Sequence, residues 1–298
     1  MTNQTNDTYP LKDHGREPAD QVEARLLRRE DDRVRRRRRR YSLNILTWQL
    51  ALLFGLLIAW SLASGTLIDP LFFSDPWDIA KAFWRILNDG TLGYHLRFTA
   101  IELISGYVVG VAAGVVMAIT VSLLPLGEPI ARPLMLATFA TPKVALAPLI
   151  IIWFGIGLAP KILLAAVLVF FIVYFNTLAG VASVSPGLID VARIMKASRF
   201  ALFVKFILPT TSVFIFTAMR IAIPSALIGA IIGEFVSSNR GIGYLISAAS
   251  YRYDTAQVFA GILSLLFFVI LIDMAVSAAE RRFIGWRDAT NRVGEWQL

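Results

Sequence analysis

The chain has no cysteine among its 298 residues, which excludes disulfides, thiol nucleophiles and thiolate metal ligands. Histidine is almost missing as well. His14 and His95 both read as lying outside the apolar runs, so neither a His-rich metal set nor a Ser/His catalytic arrangement is expected within them. No G-x-x-x-x-G-K-[ST] loop occurs, so the chain offers no P-loop cradle for the phosphates of ATP. Charge is scarce at 17% of residues, against 56% hydrophobic residues and a mean hydropathy of +0.63. That is too apolar for a water-soluble protein of this length.

What is present is a series of long apolar runs, each near the roughly 20 residues needed to cross a bilayer. They fall at about 43–64, 101–124, 133–154, 162–181, 210–233 and 256–279, giving an all-α polytopic membrane protein with about six transmembrane helices. Ahead of them, residues 1–40 are polar and end in the run Arg35–Arg40. We expect a disordered basic cytoplasmic tail followed by a transmembrane domain over 41–298, because such a composition buries too little apolar surface to offset its ordering entropy. An arginine run beside a first span holds that flank in the cytoplasm and touches anionic lipid, so no nucleic-acid partner is expected. The mixed charge and the full-length span that follows argue against a cleaved signal peptide.

Between the first two runs, Ser74-Asp75-Pro76 opens a short helix and Asn88-Asp89-Gly90 stops it. Its Trp77, Ala80, Phe83, Trp84 and Leu87 share a face that suits a membrane surface. In the second run Gly106, Gly110 and Gly114 form a small-residue stripe for close helix packing. Glu102 near its end is expected to face water. The third run is interrupted by Pro142 and Pro148 around Lys143. A charge at that depth is expensive unless it lines a cavity or meets a partner, so Lys143 is a candidate pathway group, with snorkelling as the alternative. Arg220 lies about 16 Å into the fifth run, and Glu234 closes that run. Both join Lys143 as candidates for a translocation pathway. Residues 236–255 are too polar to span, with Arg240–Tyr244 expected as a turn.

The most informative stretch is polar. Over about 185–209, an amphipathic segment lies between the fourth and fifth runs, with Asp190, Arg193, Lys196 and Arg199 on its charged face. Two short helices broken near Lys196–Ser198 suit the pattern. Periodicity alone is also met by an ordinary loop on the membrane surface. The segment resembles the signature loop of binding-protein-dependent ABC importer permeases, which reads Glu-Ala-Ala, a Gly four residues on, and Ile-x-Leu-Pro at the close. Asp190, Val191 and Ala192 take the first places, Lys196 the Gly place, Phe206 the Ile place, and Leu208-Pro209 the end. Asp, Val and Lys there depart from the family pattern.

The resemblance covers about 71–286. It extends through Ala145-x-Ala-Pro148-Leu149, Trp153-Phe154-Gly155-x-Gly157, Phe170-Phe171, Asn176-Thr177, Arg220-Ile221-Ala222, Glu234 and Gly241-Ile242-Gly243-Tyr244. Within the family it is most similar to the branch handling nitrate, sulfonates and taurine, while a group carrying pyrimidine or riboflavin-type precursors has similar motifs. Pro224 and Leu227 stand where many relatives have Gly and Trp. The resemblance implies a type I ABC importer permease in a bacterial inner membrane, with its N-terminus cytoplasmic. It implies no enzyme activity and no cofactor or metal of its own. The partners it implies are two ATP-binding subunits gripping the 185–209 loop, an external solute-binding protein and a second permease copy forming a homodimer. An ion-coupled secondary carrier using Lys143, Arg220 and Glu234 is the rival reading. Such carriers commonly show internal repeats, and none is evident here.

Overall fold

The structure is a computed structural model that describes residues 41, 44–45, 47–67, 69 and 71–283. The expected tail over 1–40 lies outside the described residues. The chain divides into two units, one ending at Ala63 and one beginning at Ser64. The first contains α1 (Thr47–Ala63), an apolar helix just below the length of a full crossing.

Every helix or strand element described in the second unit is helical. α2 (Pro76–Asn88) starts where Asp75 accepts the Trp77 N–H at 2.7 Å, and Pro76 sits in the first turn where its missing donor costs nothing. It ends at Asp89 and Gly90, with Gly90 at φ 79°. The Asp89 carboxylate then accepts the Thr91 N–H, and this bond holds it below the usual carboxylate range. The start and stop therefore fall where the sequence places them. The face that α2 buries is Ile79, Ala82 and Ile86, while Trp77 and Trp84 point outward.

α3 (Thr91–Leu123) begins ten residues before the apolar run that suggested it, so His95 lies on a spanning helix rather than outside one. α4 (Gly127–Ala140) and α5 (Ala147–Phe154) are joined by a short 3₁₀ turn, Lys143–Leu146. The two halves of this apolar stretch bend by 80°, at the point where Pro142 removes a backbone donor. α6 (Leu158–Ala182) leads to the loop helices α7 (Pro186–Ile194) and α8 (Arg199–Leu202). A single π turn, Phe203–Ile207, precedes α9 (Leu208–Val236). α10 (Ile242–Tyr251) replaces the expected turn at Arg240–Tyr244: only Gly241 turns, at φ 105°, and the helix starts at once. α11 (Thr255–Phe283) ends the described chain. Among the described residues, four helices are long and apolar enough to cross a bilayer, or five where the bent α4–α5 pair counts as one span. The shorter α1 takes the place of the sixth expected span.

Lipid tails are as apolar as leucine, so burial alone does not drive spanning helices together; close contact must. The glycine stripe provides it. A Cβ on Gly106 would sit 2.4 Å from the Ala165 Cβ, and one on Gly110 would sit 2.5 Å from the Ala166 carbonyl oxygen. On α9, a Cβ at Gly229 would meet the Ala165 Cα at 2.5 Å. Thus α3 and α9 both press against α6, and Leu103, Val169, Val173, Ala218, Ala222 and Ala226 fill the seam. A second cluster, including Ala82, Ile86, Ile242, Leu245 and Ala260, ties α2, α10 and α11.

Overpacking such a seam costs about 1–3 kcal/mol. Gly106→Val is expected to lower the melting temperature of the purified protein, whereas Gly93→Ala, whose added Cβ meets nothing within 4 Å, is expected to leave it unchanged. Equal melting of both variants would contradict this packing.

Candidate functional site

The 185–209 loop folds as two helices with a break between them. α7 ends at Ile194, and the chain turns through Lys196 at φ 55°, in the left-handed region that favours glycine. The place that corresponds to glycine in the family motif is therefore one whose backbone asks for glycine, and here a lysine occupies it. Ala197 N–H closes the turn on the Ala192 carbonyl at 2.9 Å, and the Ser198 hydroxyl accepts the Ala201 N–H to start α8. Ala192 is buried, while Leu188, Val191, Ile194, Met195 and Phe200 are exposed around Asp190. Large apolar side chains exposed in a polar loop are the kind of surface that a partner covers. The Arg199 side chain lies outside the described residues. Leu208 and Pro209 begin α9, with Pro209 in the first turn, just after the π segment.

The three pathway candidates do not come together. Lys143 lies at the α4–α5 bend, its ammonium 4.2 Å from the Phe139 ring centre and 4.9 Å from that of Phe171, and it donates to the Phe139 carbonyl. Arg220 is not an uncompensated cation. It pairs with Asp273 of α11, Nε to Oδ1 at 3.3 Å, and both side chains remain about half exposed. Asp273 was missed in the sequence, although the signal was there: it is the acid inside the last apolar run. Arg220 lies about 24 Å along α9 from Val236 and Asp273 about 27 Å along α11 from Thr255, so the two match in distance from the helix ends near α10.

Glu234 belongs to a different structure, a buried polar knot at the end of the bundle remote from the loop. Its Oε1 accepts the Thr99 hydroxyl at 2.7 Å, and Oε2 accepts the Gly243 N–H at 2.5 Å. The Ile242 N–H donates to Thr99 Oγ1, and the Gly241 N–H donates to His95 Nδ1 at 3.1 Å. A side chain at Gly241 has no room, since its Cβ would lie 2.0 Å from Glu234 Oε1. Beside this, Lys161 Nζ donates to Glu102 at 2.8 Å and to Ser238 at 2.7 Å. Glu102 is thus fully buried and ion-paired, not facing water as its place near the end of an apolar run suggested. The knot pins α3, α6, α9 and α10 to one another. Its members are spread over 95–243, so no local sequence pattern reveals it.

The family model described as binding-protein-dependent transport system inner membrane component matches residues 110–285. A riboflavin transport system permease protein of Chloroflexus aurantiacus is 30% identical, covering 70% of this chain and 78% of that one. A putative aliphatic sulfonates transport permease protein of Bacillus subtilis is 29% identical, covering 85% and 91%. A taurine transport system permease protein of Escherichia coli is 31% identical, covering 78% and 86%. Among solved structures, inward-facing MetNI methionine ABC transporter matches with a TM-score of 0.50 at 20% identity, covering 70% of this chain and 96% of that one.

Breaking one member of a buried ion pair strands the other charge, at a cost of about 3–5 kcal/mol. Lys161→Ala is expected to destabilise the protein by that order in thermal unfolding, and Lys161→Met with Glu102→Leu is expected to recover most of it. A double variant no more stable than Lys161→Ala would contradict the pairing.

Proposed function

The chain belongs to the binding-protein-dependent transport system inner membrane components, and from that premise we propose that it moves a small solute with a sulfonate group, an alkyl sulfonate or taurine. It is an ABC importer permease. It works with separate ATP-hydrolysing subunits that grip the α7–α8 loop, and a binding protein on the other side of the membrane delivers the solute. Two copies of the permease flank one pathway. The N-terminal arginines and the loop share the cytoplasmic side.

The observation that carries the coupling reading is the exposed apolar cluster Leu188, Val191, Ile194, Met195 and Phe200 around Asp190, at the far end of α6 and α9 from the polar knot. A monomeric surface rarely leaves so many large apolar side chains together in a polar loop. An ATPase groove that covers them would pull on the ends of α6 and α9 directly. ATP energy then shifts the balance of two membrane conformations through contacts that differ between them. The solute assignment draws on the two sulfonate-type relatives, which align over 85% and 78% of this chain, against 70% for the riboflavin relative. Arg220 lines the pathway together with Asp273, because a half-exposed ion pair at that depth calls for water or protein beside it rather than lipid.

Asp190→Arg places a cation in the loop beside Lys196 and is expected to uncouple ATP hydrolysis from uptake in the reconstituted importer. Normal solute-stimulated hydrolysis with normal uptake would remove the loop from the coupling path. Replacing the ion pair by Arg220→Met with Asp273→Leu is expected to preserve assembly, since both charges leave together, while lowering anion uptake severalfold. Undiminished uptake by that double variant would take the pair out of the pathway.

A further inference from the structure

Where α9 leaves the bundle, an open cleft of about 630 Å³ lies between the 234–239 turn and α10. Its volume falls within the roughly 300–1,000 Å³ range of small-molecule sites. Its lining combines apolar side chains, Ile156, Phe235, Val236 and Ala248, with polar ones that include Ser237, Ser247 and Arg252. Glu234 also borders the cleft, but both of its oxygens are committed, one to Thr99 and one to the Gly243 N–H. Among the described residues, the Arg252 guanidinium has no ion-pair partner. Arg252 is therefore the cation in this lining that an anionic group can pair with, beside apolar side chains and serine hydroxyls.

We propose that this cleft is a binding site for a small organic anion, with Arg252 and the Ser237 and Ser247 hydroxyls holding the charged head and Phe235 and Val236 covering the aliphatic tail. The proposal rests on the sulfonate reading of the solute and gives that solute a first stop on the permease itself. Three features support it. The cleft lies at the end of α6 and α9 opposite the loop, which is the end that faces a delivering protein. Its lining offers both a cation and apolar side chains, which complement the anionic head and apolar tail of an alkyl sulfonate. Its floor is also part of the polar knot: the Ser238 hydroxyl that borders the cleft accepts from Lys161, which in turn holds Glu102. The Ser238 O–H is itself donated to the Arg240 carbonyl, so the head group is left to Arg252, Ser237 and Ser247 while Ser238 ties the cleft to the knot.

The test uses the complete importer with its own ATPase and binding protein in liposomes, with radiolabelled taurine and propanesulfonate as probes. Alongside uptake, equilibrium binding of the same probes is measured on the purified complex without the binding protein. Wild-type complex is expected to bind a sulfonate saturably; Arg252→Gln is expected to weaken that binding about tenfold and depress uptake with it, while Arg252→Lys stays close to wild type. Quantifying assembled complex in the membrane normalises both readouts. Sulfonate uptake and binding unchanged in Arg252→Gln would overturn the cleft site and leave the substrate reading standing. Equal losses in Arg252→Gln and Arg252→Lys would also overturn it, because the charge would then not be what is recognised. Wild-type importer that takes up neither sulfonate would overturn the substrate reading, and the cleft proposal with it.

Discussion

Charge inside an apolar bundle has to be paired, and the pairing of Lys161 with Glu102 is the constraint on which the rest of this structure depends. Neither side chain reaches solvent, so the partners must stay within hydrogen-bond distance whatever else moves. With Glu234 fastening Thr99 and the α10 start, the pair fixes the positions of α3, α6, α9 and α10 at one end of the bundle. Lower down, the glycine seam takes over. Gly106 and Gly110 on α3 and Gly229 on α9 allow backbones to touch α6 with no room for a methyl group. Polar clamps at the end and close contacts along the length leave the three helices few ways to slide past one another.

That rigidity gives the loop its meaning. α6 runs from the knot to the loop, and α9 runs back from the loop to the knot. A force on α7 and α8 therefore cannot be absorbed by one helix bending away from its neighbour. On the proposed coupling it would tilt α6 and α9 together, and the cleft beside Ser238 would feel the tilt. The loop side holds two irregular points, the left-handed turn at Lys196 and the π segment Phe203–Ile207. A lysine in a left-handed conformation costs about 1–2 kcal/mol relative to a relaxed backbone. The structure keeps it at the place where the loop reverses.

Much of this was legible from residue order alone, and the reasons are physical. Apolar length announces a spanning helix, so five of the expected runs reappear as long helices or as the bent pair. Capping chemistry is local, so Asp75-Pro76 and Asp89-Gly90 fix α2 to the residue. The glycine stripe has the spacing of one helix face, and its role as a packing seam follows from that spacing. Partner choice is different, because it is decided across the fold. Glu102 looked like a water-facing carboxylate until α6 set Lys161 against it, and nothing near Arg220 in the chain points to its partner Asp273, 53 residues on. His95 counted as outside the spans because Arg97 and the residues before it interrupt the apolar run, yet α3 starts at Thr91. Periodicity also named the aromatic side of α2 and not its buried side, since Ile79, Ala82 and Ile86 are smaller than the tryptophans that flank them.

The central claim is that a separate ATPase grips the α7–α8 loop and drives the helices above it. The chain lacks cysteine, so a single Ile194→Cys variant carries one thiol, in the middle of the exposed apolar cluster. Cross-linking that thiol to its surroundings in membranes from cells expressing the whole importer is the direct measurement. The account predicts one dominant adduct, with an ATP-hydrolysing subunit, whose yield changes when ATP is added. Modification of the thiol by a membrane-impermeant reagent from outside the cell, or the lack of any adduct with an ATPase, would contradict it.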